Sequence, residues 1–316
     1  MHNALQAAAG RLFIHDVAPR DGFQNESGFI PTERKIELID ALSATGLAKI
    51  EVTSFTSPKA IPSLADAEAV MKGIARAPGV RYTALVPNER GCERALACGV
   101  DEINLVMSVS LSHSLANLRR TPETSIRDFA RIVRQAESRA SIACSLSTAF
   151  GCPFEGEVAP GPVMTAIEQL VDIGIDAIVL CDTTGMAHPR QVYEVFTRVG
   201  TRWPALALTA HFHDTRGMGL ANVLAALQAG VVRFDASLGG LGGCPYAPGA
   251  DGNVCTEDLV HMLALMGYDT GVDLSGLVRA ASLLAQMIDH PLSSRLLRAG
   301  PSSRRYPLPE AARHPG

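Results

Sequence analysis

Apolar positions along the chain fall into short β-rich runs that alternate with longer stretches of helical period, from about residue 12 to about residue 237. Residues 12–17, 49–54, 82–86, 102–109, 142–148, 177–181, 206–212 and 232–237 read as strands. Between them, 32–44, 88–98, 125–138, 163–173, 189–199 and 219–228 read as amphipathic helices. Thr32 and Asn88 stand where N-caps are expected, and Gly46, Gly99, Gly174 and Gly230 where helices stop. Eight strand–helix units in series predict an α/β fold, a (β/α)8 TIM barrel. A doubly wound open sheet is the competing topology, but it would leave edge strands to protect.

Beyond the eighth strand a glycine-dense loop covers 239–253, then 256–266 and 274–289 return to helical period. The final stretch, 301–316, is rich in Pro and Arg and reads as a loose tail. With no low-complexity linker, the expectation is a single domain. It comprises a barrel over about 11–240, a lid loop at 239–253, a helical appendage at 256–300 and the tail.

Composition narrows the class. Lys+Arg number 28 against 32 Asp+Glu in 316 residues, a formal charge of −4, which argues against binding nucleic acid through its backbone charge. With 47% hydrophobic and 19% charged residues, the chain has a core to bury and is not disordered. No apolar run approaches the roughly 18 residues needed to cross a bilayer. The first ten residues lack a signal or transit pattern. A soluble, cytoplasmic protein with neither nucleic-acid nor membrane partners is expected. The seven cysteines are scattered and odd in number, and none forms a C-x-x-C pair, so reduced thiols are expected rather than disulfides or structural zinc.

In such a barrel, chemistry gathers where strands end. Strand one runs into Pro19-Arg20-Asp21-Gly22, and strand two carries Glu51 into Thr53-Ser54. Strand six ends in Cys181-Asp182-Thr183, and strand seven in His211-Phe212-His213-Asp214. The i, i+2 spacing of His211 and His213 puts both imidazoles on one face of a strand and suggests a metal; the alternative is a hydrogen-bonded structural pair. Asp21 and Asn253, arriving from other loops, would complete a mixed nitrogen and oxygen set that favours Mg2+ or Mn2+ over structural zinc. The loop Gly239-Gly240-Leu241-Gly242-Gly243 lacks both the Lys-Ser/Thr of a P-loop and the G-x-G-x-x-G spacing. It reads instead as a lid that carries Cys244, while Cys92, Cys98 and Cys144 read as small inert hydrophobes.

Together these segments resemble the 3-hydroxy-3-methylglutaryl-CoA lyase family. The resemblance runs through Ala18-Pro19-Arg20-Asp21-Gly22-Phe23-Gln24-Asn25-Glu26, Lys35-Ile36-Glu37-Leu38-Ile39-Asp40 and Ile50-Glu51-Val52-Thr53-Ser54-Phe55. It continues through Phe150-Gly151-Cys152-Pro153-Phe154-Glu155-Gly156, His211-Phe212-His213-Asp214-Thr215, the lid and Thr256-Glu257-Asp258-Leu259-Val260, spanning about residue 12 to 290. The wider superfamily of metal-dependent barrels, which includes isopropylmalate and homocitrate synthases, is similar only at Arg20-Asp21-Gly22 and at His211 and His213.

The resemblance implies retro-Claisen cleavage of a 3-hydroxy-3-methylglutaryl thioester to acetyl-CoA and acetoacetate, a step of leucine catabolism and ketone-body formation. It implies Mg2+ or Mn2+ on Asp21, His211, His213 and Asn253, with the hydroxyl proton passing to His211 or Asp21. Arg20 would stabilise the enolate oxygen, Gln24 would touch the substrate, and Cys244 would act as general acid. Glu51 and Asp182 look like supporting carboxylates, with a strand-end hydrogen-bonding role as the alternative. The loop 110–125, with Asn117-Leu118-Arg119-Arg120-Thr121-Pro122, departs from the family pattern and keeps a longer 3-hydroxy-3-alkylglutaryl-CoA in play. Cys181-Asp182-Thr183-Thr184-Gly185-Met186 looks more like the condensing synthases, an alternative that the Cys244 lid argues against. The expected partners are an acyl-CoA substrate and a second copy of the chain, a homo-oligomer with a dimer favoured. Leu277, Leu283, Leu284 and Met287 offer apolar faces that would pack on their own barrel or on a neighbour.

Overall fold

The computed structural model describes residues 10–243 and 252–307, and within it each of the eight expected runs is a strand whose ends lie within one residue of expectation. They are β1 (Phe13–Asp16), β2 (Lys49–Ser54), β3 (Arg81–Leu85), β4 (Glu102–Ser108), β5 (Ser141–Ser147), β6 (Ala177–Asp182), β7 (Ala207–Phe212) and β8 (Arg233–Ala236). All pair in parallel with their sequence neighbours, and β8 closes onto β1 in the register Phe13↔Arg233 to Asp16↔Ala236. The open-sheet alternative is thereby excluded. Along β4, Ile103, Leu105 and Met107 are fully buried while Asn104 faces the barrel interior network described below. Burial on both faces is what a parallel sheet wrapped by helices requires.

Among the described residues eleven α-helices surround or extend the barrel: α1 (Thr32–Ser43), α2 (Ala67–Gly73), α3 (Glu89–Ala97), α4 (Leu111–Leu118), α5 (Pro122–Ala136), α6 (Pro160–Asp172), α7 (Pro189–Arg202), α8 (Gly219–Gln228), α9 (Thr256–Leu265), α10 (Leu274–Leu284) and α11 (Arg295–Ala299). Asn88 caps α3 by accepting the Gly91 amide at 2.9 Å. Thr32 is not a cap: Pro31 precedes the helix, and the Thr32 hydroxyl instead donates to Asp66 at 2.8 Å. Gly46, Gly99, Gly174 and Gly230 follow helices with φ of 85°, 68°, 93° and 91°, a left-handed conformation that costs glycine little.

The apolar faces of the C-terminal helices are covered by the chain itself. Leu277 and Leu284 are fully buried within the chain, and Leu283 and Met287, partly buried, pack against the same core. Among the described residues no helix is long and apolar enough to cross a membrane.

Three local features position the site. A wide π-type turn, Ala18–Gly22, follows β1 directly, with the Ala18 amide held by Asp16 Oδ1 at 2.9 Å. The register of β2 against β3 slips between Glu51 and Thr53, the kind of irregularity that re-aims a side chain beside a site. Isolated bridges His213↔Asn253 and Ser237↔Cys255 bring the far end of the glycine loop back to the ends of β7 and β8.

Candidate active site

One strand end and one turn supply the centre of the site. His211 and His213 project from the end of β7 with ring centroids 5.3 Å apart, and the wide turn after β1 aims Asp21 at them. One ligand atom from each of the three lies within 4.8 Å of the others. Asn253 joins from the loop, its Nδ2 donating to Asp21 Oδ2 at 2.8 Å and to the Leu241 carbonyl at 3.0 Å.

The electrostatics leave this cluster ready for a cation. Burial opposes the charge on Asp21, yet the neighbouring Arg20, His211 and His213 hold its carboxyl below the usual carboxylate range. Burial, followed by the nearby His211, pushes His213 down to about 4, so near neutral pH its ring is uncharged and one nitrogen keeps its lone pair free. Burial works against a charged His211 as well, but its hydrogen bond to Asp235 and the charges of Asp235 and Asp21 raise it overall. Asn253 Oδ1 and His213 Nδ1 are buried without a hydrogen-bond partner. Leaving such an atom unsatisfied costs about 1–3 kcal/mol. Two imidazoles, a carboxylate and a carboxamide oxygen with nothing to accept fit a divalent cation of the Mg2+ or Mn2+ class.

Arg20 stands beside the cluster and is fixed on two sides. Its Nε donates to Glu51 Oε2 at 2.6 Å, with Nη2 at 2.6 Å from the same oxygen, while Nη1 donates to Asp21 Oδ1 at 2.6 Å. Glu51 Oε1 accepts from Asn104 at 2.8 Å, and Asn104 Oδ1 accepts from Ser145 at 2.9 Å. The chain of contacts thus runs from the barrel interior out to the guanidinium. A guanidinium has five N–H donors, so at least two remain for a ligand.

A cavity of about 890 Å3 opens over these groups. Arg20, Asp21, Gln24, His211 and His213 line one side, and Lys59, His113, Asn117 and Arg119 the other. Gln24 is therefore where a substrate contact was expected. Asp182 is not among the lining residues: its Oδ1 accepts the amides of Met186 at 2.8 Å and Ala187 at 3.1 Å. Burial pushes it up to about 6 even so; the bonds of Oδ1 fit a strand-end hydrogen-bonding role, while Oδ2 is buried without a hydrogen-bond partner. Glu51 supports Arg20, as a supporting carboxylate should. Cys244 lies outside the described residues.

Sequence reading missed Asp235 on β8, whose Oδ2 lies 3.4 Å from His211 Nδ1, and its partner His15. It also missed Asn104 and Ser145. The available signal was polarity in mid-strand, because within a closed barrel the face opposite the helices is interior rather than solvent.

Comparison with known proteins shows the family. The HMGL-like family model matches residues 11–284. A hydroxymethylglutaryl-CoA lyase of Bacillus subtilis (strain 168) is 46% identical over 294 residues, covering 93% of this chain and 98% of that one. An (R)-citramalyl-CoA lyase of Chloroflexus aurantiacus is 41% identical over 299 residues, covering 91% and 94%. The structure of an HMG-CoA lyase from Acinetobacter baumannii, in complex with coenzyme A and 3-methylmalate, superimposes with a TM-score of 0.91 at 44% identity, covering 98% of this chain and 100% of that one.

Proposed function

The chain belongs to the HMGL-like family of carbon–carbon lyases, and from that premise we propose that it cleaves 3-hydroxy-3-methylglutaryl-CoA to acetyl-CoA and acetoacetate with a divalent cation. The observation that carries this reading is the cluster of Asp21, His211 and His213 beside Arg20, with Asn253 Oδ1 left without a donor. Asp21, His211, His213 and Asn253 would hold Mg2+ or Mn2+. When bound, such an ion supplies Lewis-acid chelation of the C3 hydroxyl and an acyl oxygen.

The chain's own residues do the rest. The C3 hydroxyl proton passes to Asp21 or His211; on His211 the receiving atom would be Nε2, since Nδ1 is turned to Asp235, so His211 serves as base or as ligand and not as both at once. The freed electron pair forms the ketone of acetoacetate, the C2–C3 bond breaks, and its electrons move onto the thioester as an enolate. The remaining N–H donors of Arg20, held still by Glu51, stabilise the enolate oxygen. Protonation at C2 then gives acetyl-CoA, with Cys244 as the proposed acid.

A second reading has a specific observation behind it. The relative from Chloroflexus aurantiacus is an (R)-citramalyl-CoA lyase, and here the loop bordering the cavity carries Arg119 and Arg120. The same bond cut in that thioester, or in a longer 3-hydroxy-3-alkylglutaryl-CoA, again releases acetyl-CoA.

A coupled assay for acetyl-CoA tests both readings, run with 3-hydroxy-3-methylglutaryl-CoA and (R)-citramalyl-CoA, with Mg2+, with chelator, and with Cys244→Ala. Cleavage of the first substrate that collapses with chelator and with the substitution supports the proposal. Cleavage of the second alone moves the assignment to the other acyl group. Turnover that survives chelator defeats the metal-dependent mechanism.

A further inference from the structure

Asp235 is shared by two imidazoles. His15 on β1, Asp235 on β8 and His211 on β7 are register partners across three adjacent strands, so their side chains stand side by side in the barrel interior. His15 Nδ1 contacts Asp235 Oδ1 at 2.8 Å, and His211 Nδ1 faces Oδ2 at the longer distance of 3.4 Å. A carboxylate only accepts, so both imidazoles meet it through an Nδ1–H. Asp235 and His211 line the active-site cavity, whereas His15 lines a separate cavity of about 360 Å3 with Arg11, Lys49 and Arg81. These three cations flank the N-terminal end of the barrel, opposite the active site. The carboxylate is thus gripped from below by a residue that cannot itself reach the reacting atoms.

The geometry points to His15 as a positioning residue of the proposed metal centre. By clamping one oxygen of Asp235, it keeps the other turned to Nδ1 of His211 and leaves Nε2 of His211 free to ligate. The inference rests on reading Asp21, His211, His213 and Asn253 as a metal site. The short contact to His15 is the better of the two hydrogen bonds, so it sets where the carboxylate sits; the longer contact to His211 is made only while that position is kept. Without the clamp, Asp235 has one loose partner and a choice of rotamers. A ligating histidine whose second nitrogen is not held loses both its tautomer and its orientation.

The test compares the whole protein with His15→Leu, which removes the donor, and His15→Asn, whose side-chain amide reaches about where Nδ1 stood. Mn2+ affinity is measured by titration, and the His211 tautomer by 15N NMR of the metal-free protein. His15→Leu is expected to weaken Mn2+ binding roughly 10-fold, the lower end for an outer-shell partner of a metal ligand. It should also turn His211 from the Nδ1–H tautomer to a mixture, while His15→Asn restores both. A purely structural role would lower the melting temperature and leave affinity and tautomer alone. Mn2+ binding within twofold of the parent, with an unchanged tautomer, overturns the inference. An Nε2–H tautomer in the parent protein overturns it without any variant, so a His15→Leu chain that fails to fold does not shield it. Failure of the metal reading looks different: the parent chain would then bind no Mn2+ while keeping the Nδ1–H tautomer.

Discussion

The two walls of the active-site cavity are built to different tolerances. On the wall formed by the ends of β1, β2 and β7, three charged or titratable groups are each tied to a neighbour: Arg20 to Glu51 and Asp21, Asp21 to Asn253, and His211 to Asp235. The opposite wall comes from the loops after β2 and β4. There Arg120 is held by Asp128 at 3.2 Å and by the Pro87 carbonyl at 3.1 Å, while Leu111, Leu115 and Phe154 stand exposed nearby. Arg119 ends α4 at φ 54°, a left-handed conformation usually given to glycine. In the proposed mechanism, reaction type belongs to the first wall, where preorganised groups act without rearranging. On the same proposal, choice of acyl group belongs to the second, which also holds the loop 110–125 that departs from the family pattern.

The contrast breaks most visibly at Asp21. Asp21→Asn keeps the volume and removes the charge that holds the site together, so kcat should fall on the order of a thousandfold and Mn2+ affinity with it. Retention of a tenth of the activity would mean the first wall is not the reacting one. Arg20→Lys keeps the charge but loses the fork that spans Glu51 and Asp21. Steady-state kinetics should show kcat down roughly a hundredfold with KM little changed.

A third test concerns the foundation of the turn rather than its reacting groups. Burial pushes Asp16 up to about 7 from an ordinary 3.8, against the opposing hydrogen bond from Thr256. Between those two values the native state keeps a proton that the unfolded chain has released, so this group lowers stability as pH rises from about 4 to about 7, with no further loss above. Asp16→Asn should remove that slope. The difference in Tm between parent and variant, followed by calorimetry across the window, should reach several degrees, and a constant difference would refute it.

The smallest effects belong to the second wall. Arg119→Ala should raise KM for an acyl-CoA several-fold with kcat unchanged, since a partly screened cation near the cavity contributes binding rather than chemistry. Arg119→Gly should do the same while stabilising the fold by about 1 kcal/mol, because glycine relieves the left-handed strain. A drop in kcat for either variant would move Arg119 to the reacting side of the comparison.

What was legible in the sequence follows the same division. The eight strands were readable to within a residue because each is a buried run bounded by turn residues. Arg20, Asp21, His211 and His213 were readable because polar residues at strand ends have one address in a barrel. His15, Asp235 and Asn104 were not, since a polar residue in mid-strand looks like one facing solvent until the sheet is known to close. Helices α2, α4 and α11, of 7, 8 and 5 residues, are too short to show a period. Asp182 also stands at a strand end, but one of its oxygens accepts two loop amides while the other is buried without a partner, a division that the sequence does not show.

Asn253 divides its amide between two tasks, and thermodynamics ties them together. Its nitrogen holds Asp21 and the Leu241 carbonyl, where the glycine loop departs, while Asn25 holds the Gly243 carbonyl at 3.0 Å. Its oxygen is the atom left open to a cation. Coupling free energies are reciprocal. Whatever factor an anchored loop base adds to the affinity for the proposed metal, the metal must add to the anchoring of the loop base, so ion occupancy and the hold on Leu241 are two readings of one equilibrium.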